Sequence, residues 1–178
     1  MEKKNSRGSY EHLPLKILIL EDDPSTVAAL SHVLSAHNWE VVGCQSVREA
    51  EADLKSFVPQ IVIADTILGE EDGLEYIGRV RNRYPDLGIV VLSSEDTETL
   101  AKKAIESGAD YFLSKPVMPS ALVLTIKKLA ELWHQRVRNL MLERELKQQT
   151  SSAVFPDILT DSDSMNAVLR LVEKFSAR

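Results

Sequence analysis

The chain is poor in the features that would place it outside a reducing, aqueous compartment. It has a single cysteine, Cys44, so no intramolecular disulfide can form and the cytoplasm is the simplest setting. No apolar run approaches the roughly 20 residues that span a bilayer, so no membrane role is expected. The polar stretch 1–12 lacks the apolar centre of a signal peptide and reads as a loose arm. Positive charge is also scarce. Against 27 Asp and Glu stand 21 Lys and Arg, a net charge of -6, which disfavours generic binding to nucleic acid or anionic lipid. There is no Gly-x-x-x-x-Gly-Lys phosphate loop and no repeat of solenoid period. His12, His32, His37 and His134 show no ligand spacing.

What remains is a chain of 178 residues, 44% of them hydrophobic, enough for one ordinary domain with an appendage or two small ones. Its centre is Ile61-Val62-Ile63-Ala64-Asp65-Thr66, an apolar and largely β-branched run that ends in a carboxylate. Such a run needs burial on both faces, as in the middle of a parallel sheet. Similar runs lie at 15–20, 39–44, 87–92 and 111–113. Between them the apolar spacing is helical: Val27, Leu30, Val33 and Leu34; Val47, Ala50, Leu54 and Phe57; Leu74, Ile77 and Val80; then a helix over about 96–107. Pro24, Pro59, Pro85 and Gly108 punctuate these elements, with 69–73 as a loop. Five repeats of strand then helix predict an α/β fold, and right-handed crossovers leave a flavodoxin-like doubly wound five-stranded parallel sheet among the few topologies allowed.

In such a sheet all strand C-termini share one edge. Four of the five strands end there in polar groups: Glu21-Asp22-Asp23, Asp65, Ser93 and Lys115. Carboxylates gathered that closely repel one another unless a cation intervenes. A hard divalent ion such as Mg²⁺ suits oxygen ligands and accepts a phosphoryl oxygen beside them. Lys115 can hold a second phosphoryl oxygen and Ser93 can donate to another, which leaves Asp65 as a nucleophile that forms an acyl phosphate.

Asp22-Asp23, Asp65, Asp72-Gly73, Ser93, Gly108-Ala109-Asp110-Tyr111-Phe112 and Lys115-Pro116 stand in order and spacing over about 14–130 as they do in the receiver domain of two-component response regulators, which this sequence resembles. The resemblance implies a CheY-like fold, Asp65 as phospho-acceptor, and Ser93 and Lys115 at the phosphoryl group. It implies Mg²⁺ on Asp22, Asp23, Asp65 and the backbone carbonyl of Ile67, with Ser93 and Phe112 as the switch pair; capping of the first helix is the alternative role for Asp22-Asp23, and Asp23 can serve both. It also implies phosphate supply by a cognate sensor histidine kinase, and often a cis bond at Lys115-Pro116. Two departures stand out. Leu68-Gly69 replaces the usual Met-Pro, which should loosen that loop, and Ser94 stands where a smaller residue is common. Ile67 and Glu95 occupy positions that tune dephosphorylation in the family, and an apolar Ile67 cannot position an attacking water, so a long-lived phosphate is expected.

A last helix begins near Pro119 and does not stop where a receiver would. Leu122, Ile126, Leu129, Trp133, Val137 and Leu140 keep a three-to-four spacing, and helix formers run to about residue 149. The second half, with Met141, has no evident cover, so a coiled-coil homodimer through this helix is expected, although Arg136 or Glu143 interrupts the seam; packing of the helix on the chain's own C-terminal segment is the alternative. Past the Thr150-Ser151-Ser152 break, Phe155-Pro156-Asp157-Ile158-Leu159 and a short apolar helix with Met165, Val168, Leu169, Val172 and Phe175 resemble the opening of the AAA+ domain of NtrC-like sigma-54 activators. The expected layout is an arm at 1–13, a receiver at 14–121, a linker and dimerisation helix at 122–150, and at 151–178 either a truncated AAA+-like domain or a helical tail. Contact with sigma-54 RNA polymerase and DNA would then run through domains this chain does not contain. The main expectation is a signalling switch rather than an enzyme, with a receiver of a hybrid sensor kinase as the alternative output. A haloacid-dehalogenase-like phosphotransferase would want a second Asp where Ile67 stands, and a nucleotide- or flavin-binding domain would want a phosphate loop in place of Glu21-Asp22-Asp23.

Overall fold

The computed structural model describes residues 14–69 and 71–150, with side chains described up to residue 143. The expected arm at 1–13 and the AAA+-like or helical segment at 151–178 lie outside the described residues.

Strand β1 (Lys16–Leu20) leads into helix α1 (Pro24–Ser35), then β2 (Glu40–Cys44), α2 (Val47–Ser56) and β3 (Ile61–Asp65). After β3 comes a two-residue hairpin, β4 (Ile67–Leu68) and β5 (Glu71–Asp72), then α3 (Gly73–Arg83), β6 (Gly88–Ser93), α4 (Glu98–Glu106), β7 (Tyr111–Ser114) and α5 (Pro119–Thr150). The five long strands form one parallel sheet in the order β2-β1-β3-β6-β7. This is the doubly wound flavodoxin-like topology expected from the alternation, with β3 in the middle. The hairpin was not expected. Strands of two residues carry no readable period, and 69–73 looked like a plain loop.

Alternation along the strands divides the core. Leu18, Leu20, Val62, Ala64, Ile89 and Val91 face α2, α3 and α4. Their neighbours Ile17, Ile19, Ile61, Ile63, Val90 and Leu92 face α1 and α5. β3 is buried along its whole length, so Asp65 is carried to the sheet edge by a strand with no freedom to slip.

Helix α5 runs on past its sheet. Leu122, Ile126 and Leu129 pack on the α1 side. In the second half Val137 is also buried, so the stripe is not bare along its length as its pattern suggested, while Leu132 and Leu142 are nearly half exposed. Among the described residues, no helix is long and apolar enough to cross a membrane.

Candidate functional site

Each strand brings one piece of the site to the shared edge. β3 ends at Asp65, which lies opposite Leu92 of β6, and β6 ends one residue later at Ser93. Ser93 in turn pairs with Ser114 at the end of β7, which places Lys115 beside them. Glu21 continues the β1 ladder, its N–H bonding to the carbonyl of Cys44 at 3.1 Å. The backbone after Asp65 is held on both sides, since Thr66 N–H donates to the Leu92 carbonyl at 3.0 Å and Gly73 N–H donates to the Thr66 carbonyl at 2.9 Å. Gly73 permits this approach: a Cβ there would meet the Asp65 carbonyl oxygen at 2.1 Å.

Lys115 is the centre of the charge arrangement. Its Nζ donates to Asp65 Oδ2 at 2.6 Å and to Glu21 Oε2 at 2.5 Å. Burial alone would pull the Lys115 ammonium down, but the hydrogen bonds and charges of Asp65 and Glu21 more than offset it and hold its pKa above the ordinary value. Burial pushes the Glu21 carboxyl up, against the Lys115 hydrogen bond that draws it down, and the nearby Asp65 charge adds to the rise. Carboxylate oxygens of Glu21, Asp22 and Asp65 lie within 4.8 Å of one another. One ammonium faces three carboxylates, a formal excess of two negative charges gathered on hard oxygen donors. That donor set fits a divalent hard cation.

Of the residues singled out in the sequence, Asp65, Lys115 and Asp22 come together, and Ser93 joins them through a hydroxyl. Asp23 does not. Its carboxylate is the N-cap of α1, accepting from Ser25 N–H at 3.1 Å, Thr26 N–H at 3.0 Å and Thr26 Oγ1 at 2.6 Å. These bonds also hold its pKa below the usual carboxylate value. The physical reason is Pro24: with proline at the first helical position, residue 23 becomes the cap and turns toward the amides of its own helix. The acidic partner of Asp22 at the site is therefore Glu21, one residue earlier, and the Asp-Pro start signal was the clue available in the sequence. Ile67 follows Asp65 by two residues, its N–H donating to Asp65 Oδ1 at 3.3 Å and its side chain largely exposed. Phe112 is half-buried and packs against the α2–α3–α4 side of the core. The Lys115–Pro116 peptide is cis.

One residue, Thr66, escapes the sequence reading. Thr66 Oγ1 lies 3.2 Å from Asp65 Oδ1 and 3.1 Å from Ser93 Oγ. Nothing in the sequence signals this, because the two hydroxyls meet only across strands. Gly69, singled out in the sequence only for its flexibility, also makes a contact at the site: its N–H donates to Asp22 Oδ2 at 3.1 Å, with φ at +63°. Proline, usual at this position in the family, has no N–H to offer.

Comparison with known proteins agrees with this geometry. Residues 17–127 match the family model described as the response regulator receiver domain. The Escherichia coli transcriptional regulatory protein BasR is 35% identical over 118 residues, covering 65% of this chain and 52% of BasR. The Pseudomonas aeruginosa alginate biosynthesis transcriptional regulatory protein AlgB is 26% identical over 162 residues, covering 91% of this chain and 35% of AlgB. The chain thus spans about a third to a half of these curated relatives. Among solved structures, the beryllofluoride-activated NtrC4 receiver domain dimer is 28% identical with TM-score 0.63, over 66% of this chain and 98% of that one. The beryllofluoride-activated receiver domain of Klebsiella pneumoniae RstA is 27% identical with TM-score 0.60, over 63% of this chain and 95% of that one. With the sheet order, the acidic edge and the family match in agreement, the chain belongs to the response regulator receiver domains of two-component systems.

Proposed function

We propose that this receiver accepts a phosphoryl group on Asp65 from the phosphohistidine of a sensor kinase. The observation that carries the reading is Lys115 Nζ lying between Asp65 and Glu21, with Asp22 beside them at the edge where Ser93 also ends its strand. A carboxylate oxygen of Asp65 attacks phosphorus, the P–N bond to the donor imidazole breaks, and the leaving imidazole takes up a proton. The product on this chain is an acyl phosphate.

Glu21, Asp22 and Asp65, with the Ile67 carbonyl as a further ligand, would hold Mg²⁺, which would neutralise their mutual repulsion and the charge on the incoming phosphoryl oxygens. Lys115 would exchange its Asp65 bond for a phosphoryl oxygen, and Ser93 would close on another. Displacement of Ser93 frees space toward Phe112, whose half-buried ring would follow inward as the second half of the switch. The exposed, apolar Ile67 offers no group to orient a hydrolytic water, which supports a long-lived phosphate.

The output is proposed to be transcriptional and sigma-54-dependent. It draws on the likeness of 151–178 to AAA+ activators and on relatives named as transcriptional regulators. Dimerisation is assigned to α5, where Leu124 and Leu142 lie exposed a whole number of turns apart and so point the same way. The protein is read as a cytoplasmic switch rather than an enzyme.

Incubation of the whole chain with acetyl phosphate and Mg²⁺, followed by intact mass, tests the acceptor. Wild type should gain one phosphoryl group and Asp65→Asn none; gain by both, or by neither, defeats the assignment. Light scattering with and without beryllofluoride then reads whether the dimer depends on the acceptor.

A further inference from the structure

We propose that Thr66 is a positioning residue for the switch: its hydroxyl bridges Asp65 and Ser93 and holds Ser93 in the resting state. The inference rests on Asp65 being the acceptor and concerns what restrains Ser93 before phosphorylation.

The hydrogen atoms admit one consistent order. The Glu95 backbone N–H donates to Ser93 Oγ at 3.1 Å, so Ser93 has its own hydroxyl hydrogen to give elsewhere. It gives it to Thr66 Oγ1 at 3.1 Å, and Thr66 then donates to Asp65 Oδ1 at 3.2 Å. The chain runs from Glu95 N–H through Ser93 and Thr66 to the carboxylate. All three side chains are buried, Ser93 at 1% exposure and Thr66 and Asp65 at 8% each, so water does not readily replace a missing partner.

Thr66 is well placed to act as a fixed post. Its N–H and carbonyl are both engaged, by Leu92 and Gly73, and a β-branched side chain on a fixed backbone has little χ1 freedom. Ser93 cannot reach a phosphoryl oxygen on Asp65 while its hydrogen is given to Thr66. Movement of Ser93 therefore requires that this bond break. Phosphorylation helps by converting the Asp65 carboxylate, which the Thr66 hydroxyl prefers as acceptor, into a neutral acyl oxygen, a weaker acceptor. Loss of the Thr66 hydroxyl removes interactions made only at rest and should shift the molecule toward the active arrangement.

The test is beryllofluoride titration of the full chain at saturating Mg²⁺, followed by calorimetry and by the amide spectrum. Thr66→Val should bind beryllofluoride about fivefold more tightly, the worth of one net hydrogen bond. Thr66→Ser should match wild type, and the gain should vanish in a Ser93→Ala background. In the wild type, the Glu95 amide signal should move on beryllofluoride addition as Ser93 leaves it, a measurement that needs no substitution. Unchanged or weaker binding by Thr66→Val, a Thr66→Ser variant that behaves like Val, or a Glu95 amide that stays in place would each overturn the proposal. Binding that survives Asp65→Asn would instead defeat the acceptor assignment itself, so the two failures are read separately.

Discussion

Two cation–carboxylate groupings sit at opposite ends of the same sheet, and they are built differently. At the N-terminal ends of β6 and β7, Arg81 bonds to the carbonyls of Gly108 at 2.8 Å, Pro85 at 2.7 Å and Leu87 at 2.7 Å, and pairs with Asp110 at 2.8 Å. Asp110 in turn accepts from Ile89 N–H at 2.8 Å. One positive charge meets one negative charge, and the remaining donors meet neutral carbonyls. At the C-terminal edge, Lys115 meets Glu21 and Asp65 while Asp22 stands near, and the group retains excess negative charge. A closed charge balance is what a structural clamp needs, because every partly buried group is paired. An open balance costs stability and persists where something is to be bound. The contrast separates the site from the scaffold without appeal to residue type.

Substitution of each cation should separate phosphoryl acceptance from stability. Lys115→Ala removes a group that would touch the phosphoryl oxygens, and should slow acyl phosphate formation by on the order of 100-fold; it also leaves the buried Glu21 and Asp65 carboxylates without their cation, so the melting transition should fall as well. Rates from acetyl phosphate and melting curves measured on the same preparation check both halves. Arg81→Ala should touch stability alone, costing roughly 2 kcal/mol because carbonyls and Asp110 lose a charged partner, with phosphoryl acceptance retained in the folded fraction. Denaturant titration reads that loss, and a stable Arg81→Ala protein would erase the contrast. The smallest effect is that of the ion. Mg²⁺ at tenfold over its dissociation constant should raise stability by about 1.4 kcal/mol in the wild type. The gain should shrink in Asp22→Asn and persist in Asp23→Ala. Loss of the gain in Asp23→Ala would return Asp23 to the site and displace Glu21 from it.

Some of the molecule was legible because the physics is local. Runs such as Ile61-Val62-Ile63-Ala64 are apolar on both faces and can only be buried strands, and Pro24 and Gly108 mark element ends through their own backbone limits. Asp65, Ser93 and Lys115 were legible because strand C-termini must share an edge in this topology. The Glu21-for-Asp23 exchange lies between the two cases: the Asp23-Pro24 cap signal is local, but which acid reaches Lys115 is not. Three acids in a row follow β1, and the turn from strand to cap decides which of them face the pocket. Along α5 the apolar spacing predicted the helix, but the burial of Val137 alongside the exposure of Leu132 and Leu142 was not in the pattern.

The alternation of strands and helices, and the gathering of Asp65 with other acids at one sheet edge, were determined by the sequence alone, since apolar periodicity and the shared edge of strand C-termini require nothing further. Tertiary structure decided the partners: Glu21 rather than Asp23 beside Lys115, the Gly69 amide on Asp22, and the Thr66 hydroxyl between Asp65 and Ser93. Hydrogen bonds act over about 3 Å, and residues far apart in the chain come within that reach only when the packed sheet sets their distance.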